Sequence, residues 1–523
     1  MTICLLYPTN VPSSVVTPMM LNQSWRFHTL CFAILLSLAV RPSSAQTTTP
    51  DTKEAPSEST PKPLKLGGIT LHGSFRTRFE DWRWFKGDRA DNTYAFSGNI
   101  LRLALSQSRV PFDWQLEFAL PFLLGLPENA ISPGIQGQLG MGATYYVAND
   151  FNRNSAMVFV KQAYLVFKKL GGNPASSLLI GRYEFMDGSE ITPKNDTLAT
   201  LKRDRINQRL IGNFGWSHVG RSFDGLHYIY NKPSGNLTLI AAFPTRGVFQ
   251  TDGWGVTETA FSYGAYTKPW GAGKHSAETR ILGIYYDDWR QILKTDSRPL
   301  PLRREDLAPI RIGSFGGHQL NAIETKVGTV DLLFWGVGQM GRWGQLDHRA
   351  YAVAIEGGVQ PKFWWKLKPW IRGGFFDGSG DGNPNDSTHN TFFQILPTPR
   401  PFARFPFFNL MNSRDYMGIL MLRPHKQVTL SSEFHALRLS NARDLWYLGG
   451  GVYQPWTFGY VGRAAGGAQS LADLYDLSVD YRISPHITLT GYYGYAQGRA
   501  VTSTIYPQGK NASLGYLELN YRF

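Results

Sequence analysis

Leu517-Glu518-Leu519-Asn520-Tyr521-Arg522-Phe523 closes the chain, and its alternation decides the fold class. Successive side chains of a strand point to opposite faces, so Leu517, Leu519, Tyr521 and Phe523 share one face. Glu518, Asn520 and Arg522 share the other. The same period of two runs back through the chain. Ile69, Leu71, Gly73, Phe75, Thr77 and Phe79 oppose His72, Ser74, Arg76, Arg78 and Glu80. Leu101, Leu103 and Leu105 oppose Arg102, while Trp114, Leu116, Phe118 and Leu120 oppose Asp113, Gln115 and Glu117. Leu237, Leu239, Ala241 and Phe243 continue it, as do Tyr475, Leu477, Val479, Tyr481 and Ile483 against Asp476, Ser478, Asp480 and Arg482.

Alternation alone also describes one sheet of a soluble sandwich. Two features favour a membrane. The polar faces are charged, and aromatics gather at strand ends, in Trp82-Arg83-Trp84, Trp364-Trp365 and Tyr492-Tyr493, as interfacial girdles do. The aromatic carboxy terminus resembles the assembly signal of bacterial outer-membrane proteins. The expected fold is all-β, a transmembrane antiparallel β-barrel. Residues 67–523 leave room for roughly 16–18 strands of about ten residues plus loops.

The N-terminus supports that destination. Arg26 and His28 precede an apolar stretch from Leu30 to Val40, and Pro42-Ser43-Ser44-Ala45 follows. This reads as a signal peptide over 1–45, cut before Gln46. Met19 or Met20 is the better start. Residues 46–66, rich in Pro, Thr, Ser and charge, read as a disordered periplasmic linker. Beyond the leader no apolar run reaches the ~18 residues that a spanning helix needs, and a mean hydropathy of -0.24 excludes a helical bundle.

Charge and cysteine narrow the chemistry. Only 18 % of the 523 residues are charged, against roughly a quarter in a soluble domain. Both cysteines, Cys4 and Cys31, lie in the leader, so the mature chain has no thiol for a disulfide, a metal or a nucleophile. Removing Arg26 and Arg41 leaves 51 basic against 39 acidic residues, a surplus of +12. Lipid-facing positions tolerate few charges. The surplus therefore belongs to lumen, loops and turns, where it attracts anions rather than nucleic acid.

Short stretches carry a family likeness. They are Leu179-Ile180-Gly181-Arg182-Tyr183-Glu184-Phe185 with Asp187-Gly188, then Arg209-Leu210-Ile211-Gly212, Trp216 and Gly220-Arg221-Ser222-Phe223-Asp224-Gly225. Gly338-Gln339, Asp347-His348-Arg349-Ala350-Tyr351-Ala352, Ser379-Gly380-Asp381, Phe393-Gln394-Ile395-Leu396-Pro397-Thr398, His435-Ala436-Leu437 and Asp444-Leu445-Trp446-Tyr447 follow in order. Together they resemble the alginate export family of outer-membrane barrels. The resemblance implies a monomeric barrel, an arginine-lined lumen and an acidic polysaccharide as cargo.

Guanidinium stays charged and binds carboxylate through two parallel hydrogen bonds, which suits a polyuronate. By parity Arg76, Arg78, Arg102, Arg182 and Arg482 fall on polar faces. Arg221 and Arg372 join them where the alternation is ambiguous. These seven are the candidate pore-lining residues; the bland reading has them bracing the wall through Glu80, Glu117, Asp480 and Glu518.

Loops are expected at 121–156, 185–220 and 377–415, with a tight turn at Ser484-Pro485-His486. Asp377 to Asn385 spaces oxygens like a calcium loop but has Thr388 where the bidentate Glu belongs, so it reads as a turn. No metal, cofactor or catalytic residue is expected. The implied partners are outer-membrane lipid, an anionic polysaccharide, periplasmic secretion proteins and the barrel assembly machinery. The alternatives are an uptake porin for small anions and a barrel hydrolase. For the last, Ser432 and His435 fall on opposite faces and make no pair.

Overall fold

The computed structural model describes residues 64–523, except 272, 365, 399–401 and 403. The expected signal peptide, linker residues 46–63 and Trp365 lie outside the described residues. Leu64–Leu66, read as the end of the linker, instead pair as a short strand with Ile69–Leu71. Apolar Leu64 and Leu66 alternate about Lys65, which is enough to extend a strand that is already formed.

Eighteen antiparallel strands follow. They are β1 (Ile69–Arg83), β2 (Thr93–Ser108), β3 (Phe112–Leu124), β4 (Phe159–Lys168), β5 (Ser176–Tyr183) and β6 (Phe223–Lys232). The chain continues through β7 (Gly235–Pro244), β8 (Thr259–Trp270), β9 (His275–Asp288), β10 (Ile310–Glu324), β11 (Gly328–Trp343) and β12 (Leu346–Pro361). It ends with β13 (Trp370–Gly378), β14 (Ser413–His425), β15 (Val428–Arg438), β16 (Ser470–Arg482), β17 (Ile487–Gly498) and β18 (Ala512–Arg522).

Each strand pairs with the next, and β18 returns to β1 in register from Ser74 opposite Arg522 to Arg83 opposite Ser513. Closure removes both sheet edges, which a bilayer would otherwise leave unpaired. The predicted period shows directly in exposure. Phe79, Ile281, Phe315, Ile355, Leu477 and Leu517 face outward and are more than half exposed, while Arg78, Glu80, Glu356 and Asp476 of the opposite parity are buried.

Connections alternate in length, save the two-residue turn 344–345 at the long-loop end. One end has tight turns, such as 233–234, 325–327, 426–427 and 483–486. The other carries 125–158, 184–222, 245–258, 289–309, 379–412, 439–469 and 499–511. Long loops mark the extracellular end. Several of them fold back inside, 184–222, 379–412 and 439–469 among them. Ile211, Phe214, Phe392, Ile395, Leu396, Phe405, Phe407, Trp446 and Tyr447 are buried together, so an apolar core sits within the barrel rather than between sheets.

Loops 184–222 and 379–412 hold each other by a single parallel bridge, Ile211 opposite Leu396, and one further backbone bond. Leu396 N–H donates to Leu210 O at 2.8 Å, Gly212 N–H to Leu396 O at 2.7 Å and Thr398 N–H to Gln208 O at 3.0 Å.

Candidate functional site

Inside loop 184–222, Asn195 caps helix α1 (Asp196–Leu201) by accepting from Leu198 N–H at 3.1 Å. Leu198 and Leu201 bury on the core side. A wider turn, Lys202–Ile206, extends the helix and brings Lys202 and Arg205 to the inner wall, with Arg209 three residues past its end. Lys202 Nζ lies 2.7 Å from Glu278. Arg205 Nε and Arg209 Nη2 reach the two oxygens of Glu356 on β12 at 2.9 and 3.1 Å. Arg372 on β13 donates to Glu356 at 2.9 Å and to Asp331 on β11 at 3.1 Å.

Three guanidiniums therefore share one carboxylate. Arg209 also lies over the Trp335 ring, and Arg372 over Trp370, contacts that suit a planar cation. Burial draws Arg209 down to about 10 against the pull of Glu356.

Arg404, from loop 379–412, completes the belt. It bonds Ser478 on β16 and lies 3.9 Å from Glu433 on β15. Burial works against its charge, but Glu433 and Asp480 more than offset this and hold it above the ordinary value. A cavity of about 30 Å³ lies among Arg205, Arg372, Arg404, Trp370 and Glu433. Here two loops set basic side chains against acidic residues of the wall.

The seven candidates distribute differently. Arg372 belongs to the belt. Arg76 and Arg78 face inward and clamp loop 184–222. Arg76 donates to Gly215 and Ser217 carbonyls, and Arg78 donates to Trp216 O at 2.5 Å while stacking on its ring. Arg78 also pairs with Glu80 at 3.2 Å and Glu518 at 3.5 Å. Arg102 faces inward, bound to Glu117 and, at 2.6 Å, to Glu184. Arg221 lies buried in loop 184–222 under the Phe214 ring, donating to Gly450 O, and burial pulls it down to about 10. Arg482 has inner parity at the tight-turn end.

Arg182 requires correction. It shares parity with Ile180, pairs across to Asp224 beside Leu226, and both Ile180 and Leu226 face outward. Arg182 therefore stands on the outer face, bonded to Asp224 at 2.6 and 2.7 Å. The polar-in rule failed because Gly181 carries no side chain to mark its face, while aromatic Tyr183 points inward.

Sequence reading missed Arg205, Arg209 and Arg404. All three lie on loops, where strand parity assigns nothing. Arg209 also lies past the end of the helical turn, after an extended Asn207 and a Gln208 with φ of 67°, so no helical spacing links it to Arg205.

The model of the alginate export family matches residues 147–505. Comparison with curated proteins gives no match. Among solved structures, OccAB2 of Acinetobacter baumannii aligns with a TM-score of 0.55 at 8% identity, covering 88% of this chain and 99% of that one. The outer membrane protein OpdK of Pseudomonas aeruginosa gives 0.52 at 9% identity, covering 87% of this chain and 98% of that one. The same protein with vanillate gives 0.51 at 10% identity, with coverages of 87% and 98%. At such identities the likeness concerns the fold.

Proposed function

The chain belongs to the alginate export family of bacterial outer-membrane channels, and from that premise we propose that it passes an anionic, alginate-like polysaccharide outward through the arginine belt. The observation that carries this reading is the trio of Arg205, Arg209 and Arg372 on the single carboxylate of Glu356. Even with Asp331 counted, the cluster keeps a positive charge. A polyuronate presents one carboxylate per sugar, and each can take the place of Glu356 on a guanidinium edge. Successive weak sites of this kind admit a polymer and still release it, as conduction requires. The chain acts as a monomer, with direction supplied by synthesis and by periplasmic partners.

A second reading, uptake of small carboxylates, draws on two observations. Loops crowd the interior, and a related fold has been solved with the small acid vanillate.

One bilayer experiment separates the two. Reversal potential under a salt gradient should show anion selectivity that falls in Arg372→Gln, with polyuronate blocking the current. Cation selectivity would overturn the arginine belt. Anion selectivity with vanillate-like acids permeating, and no response to polyuronate, would favour uptake.

A further inference from the structure

Two of the family-like stretches meet on the outside of the barrel, where the pore makes no use of them. Arg182 from the first and Asp224 from the second form a two-pronged ion pair on the outer face of β5 and β6. Charge on a lipid-facing wall is costly and marks function when it occurs. The pair stands at the last turn of β5 before loop 184–222, hence toward the extracellular leaflet. Beside it opens a recess of about 530 Å³, floored by Val160, Ala163, Ile180 and Leu226. Trp254, from loop 245–258, roofs it and is fixed by its indole N–H donating to Val158 O at 2.9 Å.

The recess holds unmet hydrogen-bonding capacity. Arg182 spends three of its five N–H groups, two on Asp224 and one on Val160 O at 3.2 Å. Two remain, on the outward wall, where lipid headgroup oxygens can accept them. The Asp224 side chain is 33% exposed, so it can accept further bonds. The chemistry required is an acceptor-rich anion next to a donor, joined to apolar chains. A phosphorylated sugar lipid offers all of these: phosphate for Arg182, hydroxyl or amide N–H for Asp224, and acyl chains for Ile180 and Leu226. The indole of Trp254 suits the boundary between headgroup and chains.

We infer that this recess binds one phosphorylated glycolipid of the outer leaflet, independently of what crosses the pore. The test uses the full-length folded barrel in mild detergent, loaded with lipid A, phosphatidylglycerol or phosphatidylcholine and examined by native mass spectrometry. Wild type should retain one lipid A, and retention should fall at least tenfold in both Arg182→Gln and Trp254→Ala. Phosphatidylcholine should not be held, and millimolar inorganic phosphate should not displace lipid A. Gel mobility before and after heating reports folding. Should Arg182→Gln fail to fold, Trp254→Ala, which leaves the wall intact, decides alone. Equal retention by folded variants, no retention by folded wild type, or displacement by free phosphate would each overturn the inference.

Discussion

Glu356 is the residue on which the inner charge balance turns. Its two oxygens accept from Arg205, Arg209 and Arg372, and its side chain is almost wholly enclosed. Removing one member of a buried charge cluster leaves the others uncompensated, which typically costs about 3–5 kcal/mol. Glu356→Gln is therefore expected to lower the urea midpoint of the refolded barrel and at the same time to increase anion selectivity. Unchanged selectivity in the folded variant would show that these guanidiniums do not face the ion path, and a raised midpoint that Glu356 does not brace the cluster. Parity made Arg76, Arg78, Arg102 and Arg482 legible from sequence as inward side chains, and left Arg372 open. It misplaced Arg182, because glycine and an inward tyrosine flank it. Inward tyrosines and phenylalanines exist here because loops, rather than water alone, fill the lumen: Tyr183, Phe223, Phe261 and Tyr263 all bury on that side.

Loops 184–222 and 379–412 act as one element, since a parallel bridge joins Leu210 and Gly212 to Leu396. Both bridged segments could be picked out in the sequence as motif stretches. Their pairing could not, because no periodicity links segments so far apart in the chain. Asp187 anchors the first loop by accepting from Ile211 N–H at 3.0 Å and Leu210 N–H at 3.3 Å. Burial pushes its carboxyl up to about 6, against Arg280 and those N–H groups. An unfolded Asp titrates near about 3.9. Below that value both states hold the proton. Between about 3.9 and 6 only the folded loop keeps it, and above 6 the fold carries a buried charge. The cost of ionisation thus appears as pH rises through this window and stays above it. Amide protection at Ile211 and Leu396, corrected for intrinsic exchange, should be greater at pH 5 than at pH 7, and Asp187→Asn should flatten the difference. Protection that instead grows toward pH 7 would contradict the assignment.

At the scale of the whole molecule, the strand count was legible only as a range. It resolves to eighteen because β18 closes onto β1. That seam ends in a reciprocal pair: Gly73 N–H donates to Phe523 O, and Phe523 N–H to Gly73 O, each at 3.0 Å. The Phe523 ring lies across the place where a Cβ of residue 73 would stand. Glycine is required there by that ring rather than by backbone conformation. Gly73→Val should therefore slow closure and reduce the yield of heat-modifiable folded barrel when urea-unfolded protein is diluted into lipid vesicles. The cause can be isolated, because refolding into vesicles needs no assembly machinery to read the terminal aromatic. If the clash is responsible, adding Phe523→Ala to Gly73→Val should restore much of the lost yield, whereas Phe523→Ala alone should lower it slightly. A double variant no better than Gly73→Val would place the defect in β1 itself and sever the link between Phe523 and closure.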